Sequence, residues 1–404
     1  MKEKPELVCP AGDWSGMVTA VESGADSVYF GVRGLNMRAG ASNFDILEVK
    51  KVMKFLHERG KKGYLALNVI VMNSELPKVK RILETAAEAG ADAVILWDMG
   101  VLSLAKNLGL NIHISTQASI SNIDSLKIYA GLGARRAVLA RELTLSEIRD
   151  VIARAGKECP EIEVEAFIHG AMCVSVSGRC FLSSYSWGKS ANRGECRQPC
   201  RREFDIRDSS GEAEYIVGKD YLLSPKDLNT MLFIDELIEA GIHSLKIEGR
   251  MRSLEYINVV VSAYRKAVEL HHKGNLTGDL KNELYKDLSR VYNRGFSDGF
   301  YFGEPQNWTS RELSHKNEKL YLGEVTKFYG KISVAEIRIR SHSLQKGDRV
   351  FVTGKITPAE FFIVEEIQQE HRFVDKASKG EMVGLKFPFR ARKGDQLYLW
   401  REKT

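Results

Sequence analysis

No apolar run in this chain approaches the roughly 18 residues needed to cross a bilayer, and Met1 to Gly12 has no apolar stretch of the secretory kind. A cytoplasmic protein with no membrane partner is therefore expected. Cysteines are too sparse for a secreted disulfide scaffold, at six in 404 residues. Neither sign of charge dominates: 59 Lys plus Arg stand against 53 Asp plus Glu, a formal +6. That mild excess permits a nucleic-acid partner without requiring one. Common catalytic signatures are missing too. Pro10-Ala11-Gly12-Asp13 is not G-x-G-x-x-G, and Gly188-Lys189-Ser190 follows Ser183 where a phosphate loop needs Gly. His57-Glu58 continues as Arg59-Gly60-Lys61, so H-E-x-x-H does not occur, nor does G-x-S-x-G.

What is present is ordinary globular composition, 44% hydrophobic and 28% charged, in a length that suits one large domain and a smaller one. A phrase recurs: Gly24-Ala25-Asp26, Gly90-Ala91-Asp92, Gly133-Ala134-Arg135 and Gly241-Ile242-His243 each lead into an apolar run. Each Gly is read as a helix end and each run as a buried strand. Further runs at Glu6 to Cys9, Tyr64 to Val71, Ile112 to Gln117 and Ile162 to Ile168 bring the strands to eight, with amphipathic segments such as Leu47 to His57, Leu76 to Ala89 and Leu145 to Ala155 between them. The fold class is therefore α/β, an eight-stranded (β/α) barrel of the TIM type over residues 1–310. After a linker, period-two runs such as Leu320 to Val325, Ile332 to Ile339, Phe361 to Ile367 and Gln396 to Trp400 predict a small all-β barrel over 318–404.

One connection is far too long. From Gly170 to Gly241 the chain runs about 70 residues, where βα loops take about 2 to 6. It leaves from the catalytic face, and it holds Cys173, Cys180, Cys196 and Cys200. Four soft ligands within 28 residues point to a metal. Their wide spacing favours an iron-sulfur cluster over a zinc knuckle. Cys9 and Cys159 lack such company.

Glu165-x-Phe167-x-x-Gly170-Ala171-Met172-Cys173-x4-Gly178-x-Cys180-x-Leu182-Ser183 resembles the signature of the collagenase-like U-thirty-two peptidase family. Ser224-Pro225-Lys226-Asp227-Leu228 and Ser244-Leu245-Lys246-Ile247-Glu248-Gly249-Arg250 resemble it as well. The resemblance implies a (β/α) barrel, a 4Fe-4S cluster on the four clustered cysteines, and oxygen-independent hydroxylation with prephenate as co-substrate. Among its branches, the tRNA uridine 5-hydroxylases match best, implying a tRNA anticodon loop as partner and wobble 5-hydroxyuridine as product. Two alternatives stand beside it: a peptidase, and an iron-sulfur subunit that acts with a paralogue.

Polar residues at strand ends on the catalytic face are the other candidates: Asn68, Asp98, Gln117, Arg141, Glu142, His169, Lys246, Glu248 and Arg250. Of these, Arg141, His169, Glu248 and Arg250 are the expected catalytic set. Arg141 and Arg250 suit a dicarboxylate donor, because a guanidinium binds both oxygens of a carboxylate. Around the cysteines, Lys189, Arg193, Arg197, Arg201, Arg202 and Arg207 with Tyr185 and Trp187 would suit phosphates and an unpaired base.

Overall fold

The computed structural model describes residues 4–202, 223–304 and 316–403, with the backbone of 206–207 and 214–215. Eight parallel strands form the barrel: β1 (Glu6–Ala11), β2 (Ser27–Gly31), β3 (Lys62–Ala66), β4 (Ala93–Leu96), β5 (Ile112–Ile114), β6 (Ala134–Val138), β7 (Glu163–Ala171) and β8 (Ser244–Ile247). They pair in sequence order, and β8 pairs with both β7 and β1, which closes the ring. The α/β barrel read from the sequence is thus observed, and the runs that reached Val71 and Gln117 stop at Ala66 and Ile114 because their last residues enter the loops of the catalytic face.

The recurring phrase has a physical basis. Gly24, Gly90, Gly133 and Gly241 all sit at φ between 70° and 105° just beyond a helix, a region that disfavours any side chain. In two of the repeats the Asp then fastens the neighbouring strand: Asp26 accepts from the Leu7 N–H at 2.8 Å and Asp92 from the Gly63 N–H at 2.7 Å. The outer helices include α1 (Trp14–Glu22), α2 (Val49–His57), α3 (Leu76–Glu88), α4 (Met99–Asn107), α5 (Ile123–Gly131) and α6 (Leu145–Glu158). Asp13 caps α1, and Thr144 with Glu147 forms a capping box on α6.

Within the insertion, α7 (Leu182–Trp187) is a short helix, and the chain returns as Asp227–Asn229, antiparallel to the end of β7. Next come α8 (Ile234–Ala240), β8, then α9 (Leu254–His272) and α10 (Gly278–Leu288). Buried faces of α9 at Ile257, Val261, Tyr264 and Val268 lie on the stripe expected from their spacing.

The C-terminal unit is all-β. Its main strands are β9 (Asn317–Tyr329), β10 (Val334–Ile339), β11 (Arg349–Thr353), β12 (Met382–Lys386) and β13 (Gln396–Glu402). The antiparallel sheet runs Glu360–Ile363, β11, β13, β9, β10, β12, Ile367–Gln369, Arg372–Val374. No pairing joins its first and last members, so it is a half-barrel. The single strand expected over Phe361 to Ile367 divides at Val364, because its two halves belong to opposite ends of that sheet. The unit packs on α1 and α9: the Ala359 N–H donates to Thr19 Oγ1 at 3.2 Å, Asn258 Nδ2 to Ala359 O at 2.8 Å, and Lys319 pairs with Glu255 at 3.0 Å. No helix among the described residues is long and apolar enough to cross a membrane.

The barrel interior is not wholly apolar. Arg136 on β6, 4% exposed, contacts Glu6 at 2.8 Å, Glu163 at 2.5 Å and Glu165 at 3.3 Å, while Lys246 on β8 holds Glu165 at 2.5 Å. Burial would raise the Glu6 carboxyl, yet Arg136 brings it down to about 2. Its depressed folded pKa means that Glu6 contributes stability above its usual 4.5, and that contribution is lost as pH falls toward 2. Arg136→Met should lower unfolding free energy by about 3–5 kcal/mol at neutral pH, and the gap to wild type should narrow below pH 4.5. Urea unfolding across that range checks this; a pH-independent gap would exclude the pairing as its cause.

Candidate functional site

Three connections on the C-terminal face of the strands converge. They are the β2–α2 loop, the insertion leaving β7, and the turn after β8. Together they enclose a cavity of about 300 Å³ whose walls include Tyr29, Arg38, Asn68, Gln117, Arg141, Phe167, Lys246, Glu248, Arg250 and all four clustered cysteines. This volume falls at the lower end of small-ligand sites.

The β2–α2 loop is tied to itself before it meets anything else. Asn36 Nδ2 donates to Val32 O at 2.7 Å, and Asn43 Nδ2 donates to Arg38 O and Ala41 O. It presents Arg38, whose Nε and Nη2 both donate to Glu248 Oε1, at 3.1 and 3.0 Å. The insertion docks on this loop through Gly194. At φ +80 its backbone lies so close that an added Cβ would stand 2.0 Å from Asn36 O.

Positive charge exceeds negative at this end of the cavity. Glu248 is 9% exposed; burial pushes its carboxyl up, but Arg38, Arg141 and Arg250 hold it below the usual carboxylate range. Arg250 is 5% exposed, and burial pulls its guanidinium down to about 10. Its Nη1 donates to Asn36 Oδ1 at 3.0 Å, while its buried Nε has no partner. Arg141 donates to Ala171 O at 2.9 Å and lies 3.8 Å over the Phe167 ring. Lys246 on the floor is already neutralised by Glu165. Among the described residues, buried Arg250 and half-buried Arg141 therefore have no ion-paired carboxylate of their own, an arrangement that favours an incoming anion.

All six cysteines are free. The clustered four border this cavity, and two of them accept backbone hydrogen bonds two residues on: the Leu182 N–H to Cys180 Sγ and the Gln198 N–H to Cys196 Sγ, both at 3.4 Å. Cys173 Sγ lies 3.1 Å from Ser175 Oγ. Burial raises the Cys200 thiol to about 11, with Arg201 pulling the other way. Among the described residues no three His, Cys, Asp or Glu side chains converge as a single ion would require. The four cysteines line one cavity instead. Cys9 is fully buried in the apolar core, and Cys159 ends α6.

Of the residues expected from the sequence, the structure brings together Arg141, Glu142, Glu248, Arg250, Asn68, Gln117 and Lys246. Two lie elsewhere. Asp98 caps α4 through the Gly100 and Val101 N–H groups. His169 is buried on the outer side of β7, 3.3 Å from Tyr264 Oη and beside Tyr256 and Phe296. The register between β7 and β8 shifts here, from Lys246 opposite Phe167 to Ile247 opposite His169, and the extra residue turns His169 away from the interior. Burial and Arg252 lower its imidazole to about 3.

Around the insertion, Arg193 pairs with Glu75, Arg201 donates to Met172 O and Pro225 O, and Arg202 lies 4.6 Å over Trp187. Arg207 has no described side chain. Tyr185 is 86% exposed and Phe181 stands beside it. Arg38 was not foreseen. The length of its loop, Val32 to Asp45, was the available signal, since short βα loops do not reach over a barrel mouth.

The model of Peptidase family U32 matches residues 12–311. An uncharacterized protease of Methanocaldococcus jannaschii is 40% identical over 98% of each chain. A collagenase of Porphyromonas gingivalis is 36% identical over 97% of each. A tRNA hydroxylation protein of Bacillus subtilis is 33% identical over 87% of this chain and 84% of that one.

The Gly194 contact gives a direct check on how the site is assembled. Gly194→Ala must separate the insertion from the Asn36 backbone, so amide exchange should rise in residues 34–44 and 190–200 while the barrel strands keep their protection. Unchanged exchange in both segments would show that the contact does not hold them together.

Proposed function

The chain belongs to peptidase family U32, and from that premise we propose that it hydroxylates RNA, at C5 of the wobble uridine of a tRNA anticodon loop, rather than cleaving peptides. The observation that carries this reading is the shared cavity: four thiols and, among the described residues, two guanidiniums without an ion-paired carboxylate and no lining histidine. Thiol proteolysis needs an imidazole beside the nucleophile, and His169, the histidine nearest to Cys173 in sequence, is bonded to Tyr264 on the other side of β7. The tRNA hydroxylation protein of Bacillus subtilis, similar over most of its length, supports the same choice.

The thiols fit a 4Fe-4S cluster. A four-iron group is wider than one ion, and sulfurs that border a common space while accepting N–H bonds suit its corners. Cys173, Cys180, Cys196 and Cys200 would hold it, and when bound it supplies electron transfer. The rest falls to the protein. Arg141 and Arg250 grip the carboxylates of an anionic oxygen donor, for which prephenate is our candidate. Arg38 fixes Glu248 through Oε1 alone, and Oε2 accepts no hydrogen bond from the described residues, so it can take one from a ligand hydroxyl. Phe167, Tyr29 and Met172 give the cavity apolar walls that exclude water. Exposed Phe181 and Tyr185 offer faces for bases beside an extruded uridine.

Anaerobically prepared protein should be brown with about four irons per chain. Cys180→Ala and Cys196→Ala should lose the colour and Cys159→Ser should keep it; stoichiometric zinc without iron would defeat the assignment.

Mass analysis of nucleosides tests the activity. A strain lacking this gene should lose wobble 5-hydroxyuridine and regain it with the wild-type chain but not with Arg250→Lys, which keeps the charge and loses the planar fork. Loss of a ribosomal hydroxycytidine instead would move the substrate, restoration only together with a paralogue would make this chain a subunit, and peptide products from cluster-loaded protein would reinstate proteolysis.

A further inference from the structure

Beside the cavity lies a second recess, of about 590 Å³, between the barrel and the half-barrel. It shares Arg38, Arg201, Glu248 and Met251 with the cavity, so the two adjoin, and Lys319 and Trp400 of the half-barrel form its far wall. Its most ordered feature is a guanidinium group around one buried carboxylate. Asp227, 1% exposed, accepts from Arg252 at 2.7 Å through Oδ2 and from Arg294 at 3.3 Å through Oδ1. Arg201 lies close enough to feel both Arg294 and Asp227. Both Arg252 and Arg294 pack on the Tyr292 ring, at 4.7 and 5.2 Å. Two guanidiniums thus share one carboxylate with a third close by, and among the described residues five lining cations stand against Asp227, Glu248, Glu255 and Glu318, an excess of one positive charge.

We infer that Arg201, Arg252 and Arg294 form a phosphodiester-anchoring site for the RNA strand whose base enters the cavity. This rests on the RNA reading above and deepens it. Asp227 takes one N–H of Arg252 and one of Arg294 and so orients the donors left over, while Arg201, fixed by Ser224 Oγ, Pro225 O and Met172 O, adds charge beside them; a phosphate is held in this way without sequence readout. Because Arg201 borders both spaces, the anchored phosphate would be a neighbour of the extruded nucleotide. The half-barrel wall makes the recess a groove, which suits a strand better than a small free anion.

The test uses cluster-loaded full-length protein, a synthetic anticodon stem-loop RNA and salt titration. Arg294→Gln leaves Asp227 paired with Arg252, so the fold should persist; Arg294→Lys keeps the charge. If one phosphate contact is lost, the slope of log affinity against log salt should fall by about 0.9, and binding at 0.1 M salt should weaken roughly eightfold. Arg294→Lys should recover most of the slope, and Lys80→Gln on α3, remote from the groove, should match wild type. Wild-type slope in Arg294→Gln, alongside intact wild-type hydroxylation, would overturn the anchor and spare the functional reading. Competition by millimolar inorganic phosphate with no change in the RNA slope would also overturn it, as a small-anion site. Wild-type protein that neither binds nor modifies the RNA would remove both.

Discussion

Arg136 holds three carboxylates from two strands, and through Glu165 it is linked to Lys246 on a third. These contacts span β1, β6, β7 and β8, the side of the ring where the last strand meets the first. Charges inside a barrel are tolerated only when paired, so each strand has essentially one register that satisfies the set. Slipping a strand by one residue would turn its ion to the outer face. The network therefore fixes where the chain emerges after β7 and β8. Everything described above at the cavity hangs from those two exits: the cysteine insertion from one, Glu248 and Arg250 from the other.

The same economy operates one layer higher with a different outcome. At the floor, Glu6, Glu163 and Glu165 face Arg136, Lys246 and Lys62, three charges of each sign. At the mouth, Glu248 faces Arg38, Arg141 and Arg250. Burial pulls the Arg250 guanidinium down to about 10 although Glu248 opposes it, and its Nε is without a hydrogen-bond partner among the described residues. A fold selected for stability alone would not leave such a group dehydrated. An anionic ligand, as in the function proposed above, would offset this imbalance.

Much of the barrel was legible because its signals are local. A left-handed Gly after a helix and an apolar run after that Gly are set by backbone geometry within a few residues, and all four copies landed where expected. Alternation of period two likewise marked most half-barrel strands, failing at Phe361 to Ile367, where one run serves both ends of a sheet. Site residues were legible where strand ends alone place them, as for Glu248 and Arg250. His169 was misplaced by a register shift that leaves no trace in composition. Asp98 has the spacing of a strand-end residue and equally that of a helix cap, and the local N–H groups won. Arg38 depends on a long-range contact with Glu248, 210 residues away. No local pattern encodes it.

The position of the half-barrel follows from the same seam. It rests on α1 and α9, the helices that flank β1 and β8, through Thr19, Asn258 and Glu255. The cysteine insertion rises from β7 on the neighbouring side. The mouth is thus bounded by two added elements, one bearing exposed Phe181 and Tyr185, the other bordering a groove lined by Arg252 and Arg294. A small substrate requires a lid to exclude water. A polymer supplies its own cover, provided that the enzyme offers a platform for its bases and a track for its phosphates. Flanks of these two chemistries around a ligand-sized cavity suit the RNA substrate proposed above, and on that reading both additions beside one seam serve the same strand.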